Sequence, residues 1–383
     1  MSQLSAPVAL VTPRYAPSLG GVERHVEMLA RGLAERGIGV EVLTADPTGG
    51  LPAVEELEGV LVRRFPTVGL DQTYFAVPSL AWWLARNARR FSLIHAHSYH
   101  APLALHAAIV GRLTSTPLVL TPHYHGTGHT PVRRVLHRPY RPLGAWMLRR
   151  ARRVICVSRT ERDLVHRRFG PHVATLVVPN GVDADEITAV PPRDRARDRV
   201  LVLAVGRLEP YKRTDRLVEA LPYLPPDHHA LIVGDGPARL SIERLARTLG
   251  VQDRVELVGK LGRPELLAWY RSADVFVSLS EHEAFGLTVL EAAVAGALTI
   301  VSDIPAHREV AHYLPGTQVR FVRHDCSPTE LARSIEGAAS HASVIPTRPA
   351  VPTWVNMVDE TVACYRAVLG QESNVPGRSE SSL

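Results

Sequence analysis

Val275–Leu279 (VFVSL) runs directly into Ser280–Gly296 (SEHEAFGLTVLEAAVAG). The first five residues read as a short apolar strand, and the turn after them opens a helix near Gly286. A strand feeding a helix through a tight turn is half of a βαβ unit, so this stretch predicts a parallel sheet. It also predicts chemistry. The first N–H groups of a helix lack an intrahelical acceptor, so those of Ala284, Phe285, Gly286 and Leu287 are free to bind an anion or sugar hydroxyls. Glu283 stands just before the helix and Glu291 within it. A carboxylate in that position can accept two hydrogen bonds from a vicinal diol such as a ribose. Taken alone, two glutamates eight residues apart read first as helix-start and surface residues.

The same alternation extends on both sides. Val200–Val205, Ala230–Val233, Val255–Val258 and Leu298–Val301 read as strands, with helices near 214–221, 238–249, 264–271 and 286–295. The polar, proline-led Pro191–Asp198 (PPRDRARD) reads as a linker. Ahead of it lies a first strand series: Pro7–Pro13, Gly39–Ala45, Leu93–Ala96, Leu118–Thr121, Val154–Val157 and Thr175–Val178. Val22, Val26, Leu29 and Leu33 form a helical stripe that Gly37 ends. The 383 residues exceed what one core usually supports, about 250–300. The expected fold is therefore α/β, with two Rossmann-like domains at 1–183 and 200–352 joined by a linker at 184–199. A terminal helix spans about 353–370, and a disordered tail occupies 371–383. Two open α/β domains place a ligand cleft between them, at the carboxyl ends of their strands.

Composition excludes other classes. With 45% hydrophobic and 21% charged residues, the chain is neither disordered, collagenous nor a coiled coil. It has no uncharged apolar run of roughly 18 residues and no basic leader-like start, so neither a membrane span nor a signal peptide is expected. Cys156, Cys326 and Cys364 are far apart and odd in number, which fits a reducing cytoplasm better than a disulfide framework or zinc site. The net charge of +6 is uneven: residues 1–180 carry +11 and the remainder −5. Residues 131–170 hold 12 arginines against Glu161 and Asp163. Such a field attracts phosphates, anionic lipid or nucleic acid, and a solvated helix face fits equally well. The aromatic residues interleaved there, Tyr140, Trp146 and Phe169, are too sparse for a nucleic-acid platform.

Further motifs lie at strand ends. In Val205–Lys212 (VGRLEPYK), Arg207 offers a fork for phosphate oxygens and Lys212 a mobile point charge, a pair suited to a diphosphate. Lys212 and Lys260 are the only two lysines among 44 basic residues. Gly20-Gly21 lies between strand and helix, where it permits close approach of an anion or forms a simple turn. Val233–Pro237 (VGDGP) resembles a dinucleotide fingerprint, but Arg239 occupies the place of its third glycine. His95/His97 and His123/His125 form HxH pairs that could ligate zinc, yet no cysteine or carboxylate completes either set, and no metal site is expected. Strand register decides which of His123 and His125 faces the cleft.

In their order along the chain these motifs resemble those of retaining glycosyltransferases of the GT4 family, which have the GT-B architecture of two facing Rossmann-like domains. The elements are Gly20-Gly21-Val22-Glu23, Thr121-Pro122-His123, Pro179-Asn180-Gly181-Val182-Asp183, Gly206-Arg207 with Lys212, Val233–Pro237, and Glu283-Ala284-Phe285-Gly286 with Glu291. The resemblance covers the chain to about residue 370. It implies that Arg207 and Lys212 bind the donor diphosphate, while Glu291 holds the ribose. Glu283 and the backbone from Ala284 to Leu287 would position the sugar. Gly20 and Gly21 would approach the phosphates, with Gly234 in the same donor-binding set. Lys260-Leu261 would lie at the nucleobase, and His123 would face the transferred sugar. Arg213 departs from the family, which often has glycine there, and Ala284 replaces a common glycine.

The expected activity is metal-independent, retaining transfer of a hexose-type sugar from a UDP- or GDP-sugar, without a cofactor. The acceptor would be a small molecule, a phosphorylated one or a lipid-linked glycan. The expected location is the cytoplasm, with peripheral contact to an anionic membrane through 131–170. A sugar-nucleotide epimerase or hydrolase of the same fold and a non-enzymatic basic binding protein are the alternatives.

Overall fold

The computed structural model describes residues 4–371, except 5, 19, 69–75, 127–130, 195–198 and 340–348; across 131–138 it describes the backbone alone. Of the tail expected at 371–383, residues 372–383 lie outside the described residues.

The first lobe contains β1 (Val8–Thr12), α1 (Gly21–Glu35), β2 (Val40–Asp46), β3 (Val54–Leu57), β4 (Val60–Pro66), α2 (Pro78–Asn87) and β5 (Leu93–His97). It continues with α3 (Pro102–Thr114), β6 (Leu118–Thr121), α4 (Pro131–Arg150), β7 (Arg153–Cys156), α5 (Arg159–Phe169) and β8 (Thr175–Val177). Its eight strands are ordered β3-β4-β2-β1-β5-β6-β7-β8, all pairs parallel except β3 with β4. Helices cover both faces, so β1, β2 and β5 are buried along their whole length, with Glu41, Asp46, His95 and His97 among the buried residues of β2 and β5.

After α6 (Ala184–Ala189) the second lobe runs β9 (Val200–Val205), α7 (Thr214–Ala220), β10 (His228–Val233), α8 (Arg239–Thr248), β11 (Val255–Gly259), α9 (Arg263–Ser272) and β12 (Val275–Ser278). Then come α10 (Leu287–Val294), β13 (Leu298–Ser302), α11 (Pro305–Ala311), β14 (Val319–Val322), α12 (Pro328–Ala339) and α13 (Trp354–Val368). The sheet order β11-β10-β9-β12-β13-β14 is the doubly wound pattern, with its switch point between β9 and β12. The corresponding switch in the first lobe lies between β1 and β5. Both loops singled out for diphosphate chemistry, after β9 and after β12, flank a switch point.

Three features depart from the sequence expectation. The segment 184–199 is not wholly a linker: Asp183 accepts a hydrogen bond from the Glu186 N–H at 2.8 Å and caps α6. The hairpin β3–β4 turns at Glu58 and Gly59, both with positive φ, a geometry that favours a tight two-residue loop. The third is α4, which continues through Pro139 and Pro142. Prolines there remove backbone donors and argue locally against a helix, so packing has overridden propensity.

α13 returns to the first lobe and packs on α1, where Gly32 lies against Val358 and Arg36 pairs with Asp359 at 2.7 Å. The crossing explains part of the Pro179–Asp183 motif. A Cβ on Gly181 would stand 2.1 Å from the Trp354 nitrogen, and the Val182 N–H donates to the Pro352 carbonyl. Only glycine leaves room for the returning chain.

Candidate active site

The two switch-point loops are tied together. The Glu281 N–H donates to the Tyr211 carbonyl at 2.9 Å, and Arg213 pairs with Glu281 at 3.2 Å. Arg213 has φ 53°, a left-handed conformation in which glycine is unstrained, which accounts for the family's frequent glycine at this point. Within this frame Lys212 Nζ lies 2.5 Å from Glu283 Oε1, and Ser280 Oγ donates to the same oxygen at 2.8 Å. Burial alone would push the Glu283 carboxyl up. Lys212, His307 and the hydrogen bonds from Lys212 and Ser280 outweigh it and hold the group below the ordinary carboxylate range. Burial likewise opposes the Lys212 charge, and Glu283 more than compensates. Both groups are therefore ionised at neutral pH. Arg207 is exposed at the mouth of a small cleft that Gly206, Lys212, Thr214, Ser278 and Ser280 also line.

Gly286, at φ 108°, precedes α10. The N–H groups of Ala284, Phe285, Gly286 and Leu287 have no acceptor among the described residues. They form a row of donors beside the Lys212–Glu283 pair, an arrangement suited to an anion. The Phe285 ring is buried in the core behind this loop, so only its backbone is available to a ligand. Glu291, 5% exposed, is held by Arg263 Nη1 at 2.5 Å. Arg263 also binds Glu186 at 2.8 Å, and Glu186 binds Arg24 of α1 at 3.2 Å. A charged chain thus runs from the second lobe through α6 to the first. Neither Arg263 nor Glu186 has a local sequence signal, because their partners are 28 to 162 residues away.

The remaining expected residues also lie at strand carboxyl ends. Gly234 is packed so that a Cβ would stand 1.9 Å from the Gly206 carbonyl oxygen, and its N–H donates to the Gly259 carbonyl at 2.7 Å. This brings Gly206, Gly234 and the exposed Lys260 with half-buried Leu261 onto neighbouring turns. Gly20 and Gly21 start α1, and a Cβ on Gly21 would meet nothing within 4 Å. The lobes touch around this cleft: Ser158 Oγ donates to the Ala284 carbonyl at 2.7 Å, and Leu287 packs against the core of the first lobe. The N–H groups of Arg159 and Thr160 donate to Glu309, which caps α5 from the other lobe.

His123 follows β6 at φ 46° and is 9% exposed. Its ring stands edge-on to His25 of α1, with centroids 5.0 Å apart, and 5.8 Å from His97. His125 lies instead near Tyr211 of the second lobe, at 6.3 Å. Burial drives the His123, His97 and His95 rings well below the usual imidazole range and His25 down to about 4, so the cluster is neutral at pH 7. His25 Nδ1 lies 2.7 Å from Asn180 Oδ1. His95 is committed to Tyr365 and Thr121, whereas neither nitrogen of His97 has a partner among the described residues. One nitrogen each of His25, His97 and His123 lie within 4.8 Å of one another, so the three could hold a metal ion. The HxH pairs themselves do not make the set; His25, from another element, completes it. Tetrahedral zinc with bonds of about 2.0–2.1 Å would need nitrogens about 3.3 Å apart.

Comparison with known proteins agrees with this architecture. The profile of Glycosyltransferase Family 4 matches residues 19–186, and that of Glycosyl transferases group 1 matches residues 188–341. The D-inositol 3-phosphate glycosyltransferase of Geodermatophilus obscurus is 31% identical, over 92% of this chain and 86% of its own. Glycogen synthase of Mycobacterium tuberculosis strain H37Rv is 32% identical, over 78% of each chain. A phosphatidylinositol N-acetylglucosaminyltransferase subunit of Arabidopsis thaliana is 28% identical, over 89% of this chain and 75% of its own. Among solved structures, sucrose-phosphate synthase from Thermosynechococcus elongatus superposes with a TM-score of 0.77 at 21% identity, covering 96% of this chain and all of that one. HepE of Anabaena in complex with UDP-glucose gives 0.72 at 19% identity, covering 94% and 99%. The chain belongs to the GT4 family of glycosyltransferases and has the GT-B fold, acting on sugar-nucleotide donors.

Proposed function

We propose that the protein transfers a hexose-type sugar from a UDP- or GDP-sugar to a small-molecule, phosphorylated or lipid-linked acceptor, with retention and without a metal. One observation carries this reading: the Lys212–Glu283 pair stands beside four unpartnered backbone N–H groups and the exposed Arg207. As the glycosidic bond breaks, negative charge grows on the departing diphosphate. Arg207, Lys212 and the amino end of α10 lie where preorganised positive groups stabilise that charge, the task a divalent ion would otherwise perform. Glu291 takes the ribose diol, Glu283 and the Ala284–Leu287 backbone the sugar hydroxyls. Neutral His123 hydrogen-bonds the sugar from the facing lobe. Lys260-Leu261 lies beside the base, Gly234 supports the turn beneath it, and Gly20 and Gly21 let the α1 terminus approach the phosphates. Retention follows if the acceptor attacks the face that the diphosphate leaves, with a phosphate oxygen taking its proton.

The UDP-glucose complex of the Anabaena neighbour makes a uridine donor the first to try. A thermal-shift panel of UDP-, GDP-, ADP- and TDP-sugars in the presence of a chelator tests the reading. One nucleotide sugar should raise the melting temperature. A shift that requires added divalent metal would overturn metal independence, and turnover of donor without any acceptor would favour the epimerase or hydrolase alternative.

A further inference from the structure

Between Gln72 and Thr160 the chain carries 13 arginines and not one aspartate or glutamate, whereas acids number 38 of 383 residues overall. The fold gathers much of this stretch into one layer. α2, α3 and α4 pack side by side and cover the same face of the first sheet, burying Leu80, Leu84, Leu103, Ala107, Met147 and Leu148 beneath them. The opposite face is covered by α1 and α13, whose outer sides carry Glu35, Asp359 and Glu360 among their basic residues. The two sides of the lobe are therefore unlike in charge.

The outer side of the α2–α3–α4 layer is also unlike an ordinary solvated surface. Trp82, Ile109, Leu113 and Leu143 protrude from it, with Leu113 73% and Trp82 59% exposed. Exposed arginines stand among them. Arg86 lies over the Trp82 ring at 3.6 Å, and Arg89, Arg112, Arg141, Arg149 and Arg150 have no carboxylate partner among the described residues. Charged faces of soluble helices usually interleave both signs, which screens them at short range. This one does not. Protruding aliphatic tips gain nothing from a nucleic-acid backbone, but they gain from the acyl boundary of a bilayer whose headgroups neutralise the guanidinium groups.

We propose that the outer face of α2, α3 and α4 docks the protein on an anionic lipid bilayer. The surface differs from the segment 131–170 expected from charge alone. The latter part of that segment turns inward: β7 is buried in the sheet, and the start of α5 is held by Glu309 of the other lobe. Conversely α2 and α3, outside that segment, supply the exposed Trp82 and Leu113. Arg112, Leu113, Arg149 and Arg150 stand at the carboxyl ends of α3 and α4, which lead into the amino ends of β6 and β7, so this surface lies toward the edge of the sheet away from the cleft. The docking rests on charge and exposure and does not depend on the transferase reading.

Flotation of the full chain with vesicles of phosphatidylcholine alone, or mixed with phosphatidylglycerol, tests it. The protein should float with the mixed vesicles at low salt, be released at high salt, and ignore phosphatidylcholine. Reversing Arg112, Arg149 and Arg150 together to Glu should cut partitioning roughly tenfold or more. Leu113→Ser with Trp82→Ala should also weaken it, and in both cases the melting temperature should stay near that of the parent. Absence of flotation at low salt would overturn the proposal. So would wild-type partitioning by either variant, or retention by the apolar variant alone, which would mean simple charge attraction. The donor-induced melting shift, read on the same samples, separates the two ideas: its loss with flotation intact counts against the donor site only, and the converse against docking only.

Discussion

Lys212 and Glu283 neutralise each other at 2.5 Å, and Arg263 does the same for Glu291. On the proposed reading donor binding exchanges these partners, so the substitutions have separable outcomes. Glu291→Ala should weaken donor binding about tenfold or more, as expected for hydrogen bonds to a charged group, with a smaller effect on kcat. Glu283→Ala should leave binding closer to normal and lower kcat roughly a hundredfold or more. Calorimetric Kd values beside steady-state kcat distinguish them; unchanged donor use in both would refute the site. Arg263→Gln should raise the donor Kd through disordering of Glu291, and Glu186→Gln should do so less. Lys212 and the two glutamates were legible because they fall within short strand-end motifs. Arg263, Glu186 and His25 were not, since their meaning depends on partners that only the folded chain brings near.

At the scale of elements, turns carry the information that apolar periodicity lacks. The stretch from Val275 to Gly296 revealed a strand, a turn and a helix, and the structure has them as β12, the Gly286 turn and α10. The β3–β4 hairpin was missed, because its acidic VEEL strand is half-exposed and has no apolar alternation. α6 was hidden inside the stretch 184–199 read as a linker, and its cap, Asp183, was read only as the last residue of the Pro179–Asp183 motif. Gly234 tests how tightly the strand-end turns are packed. Gly234→Ala should destabilise the chain by about 2–4 kcal/mol and impair donor binding, since its Cβ meets backbone rather than a movable side chain. Denaturant melts measure the first effect and a donor thermal shift the second; a neutral result would mean that the β9 and β10 turns are not in close contact. Arg213→Gly, by contrast, relieves a left-handed backbone, so it should change stability by less than about 1 kcal/mol and preserve turnover.

For the whole molecule, the buried histidines set the acid limit. His25 is depressed to about 4, and His95, His97 and His123 lie well below the ordinary value near 6.5. Their folded pKa values are lower than the unfolded ones, so the unfolded chain binds more protons as pH falls below about 6.5. Stability is fully present above that pH and declines toward pH 4, by up to about 1.4 kcal/mol per pH unit for each histidine. Urea melts from pH 7.5 downward should show this loss, and His97→Gln should flatten the slope; an unchanged slope would mean that His97 is not buried as a neutral ring. The same lobes that bury these rings meet through Ser158–Ala284, Glu309–Thr160 and Arg24–Glu186.

The central claim is that the second lobe supplies the groups that receive the departing diphosphate. A crystal structure with a bound nucleoside diphosphate measures this directly. Lys212 should have left Glu283 for a phosphate oxygen, with Arg207 and the N–H groups of Ala284–Leu287 on the remaining oxygens and the ribose on Glu291. A nucleotide bound elsewhere, with the Lys212–Glu283 pair intact, would contradict the account.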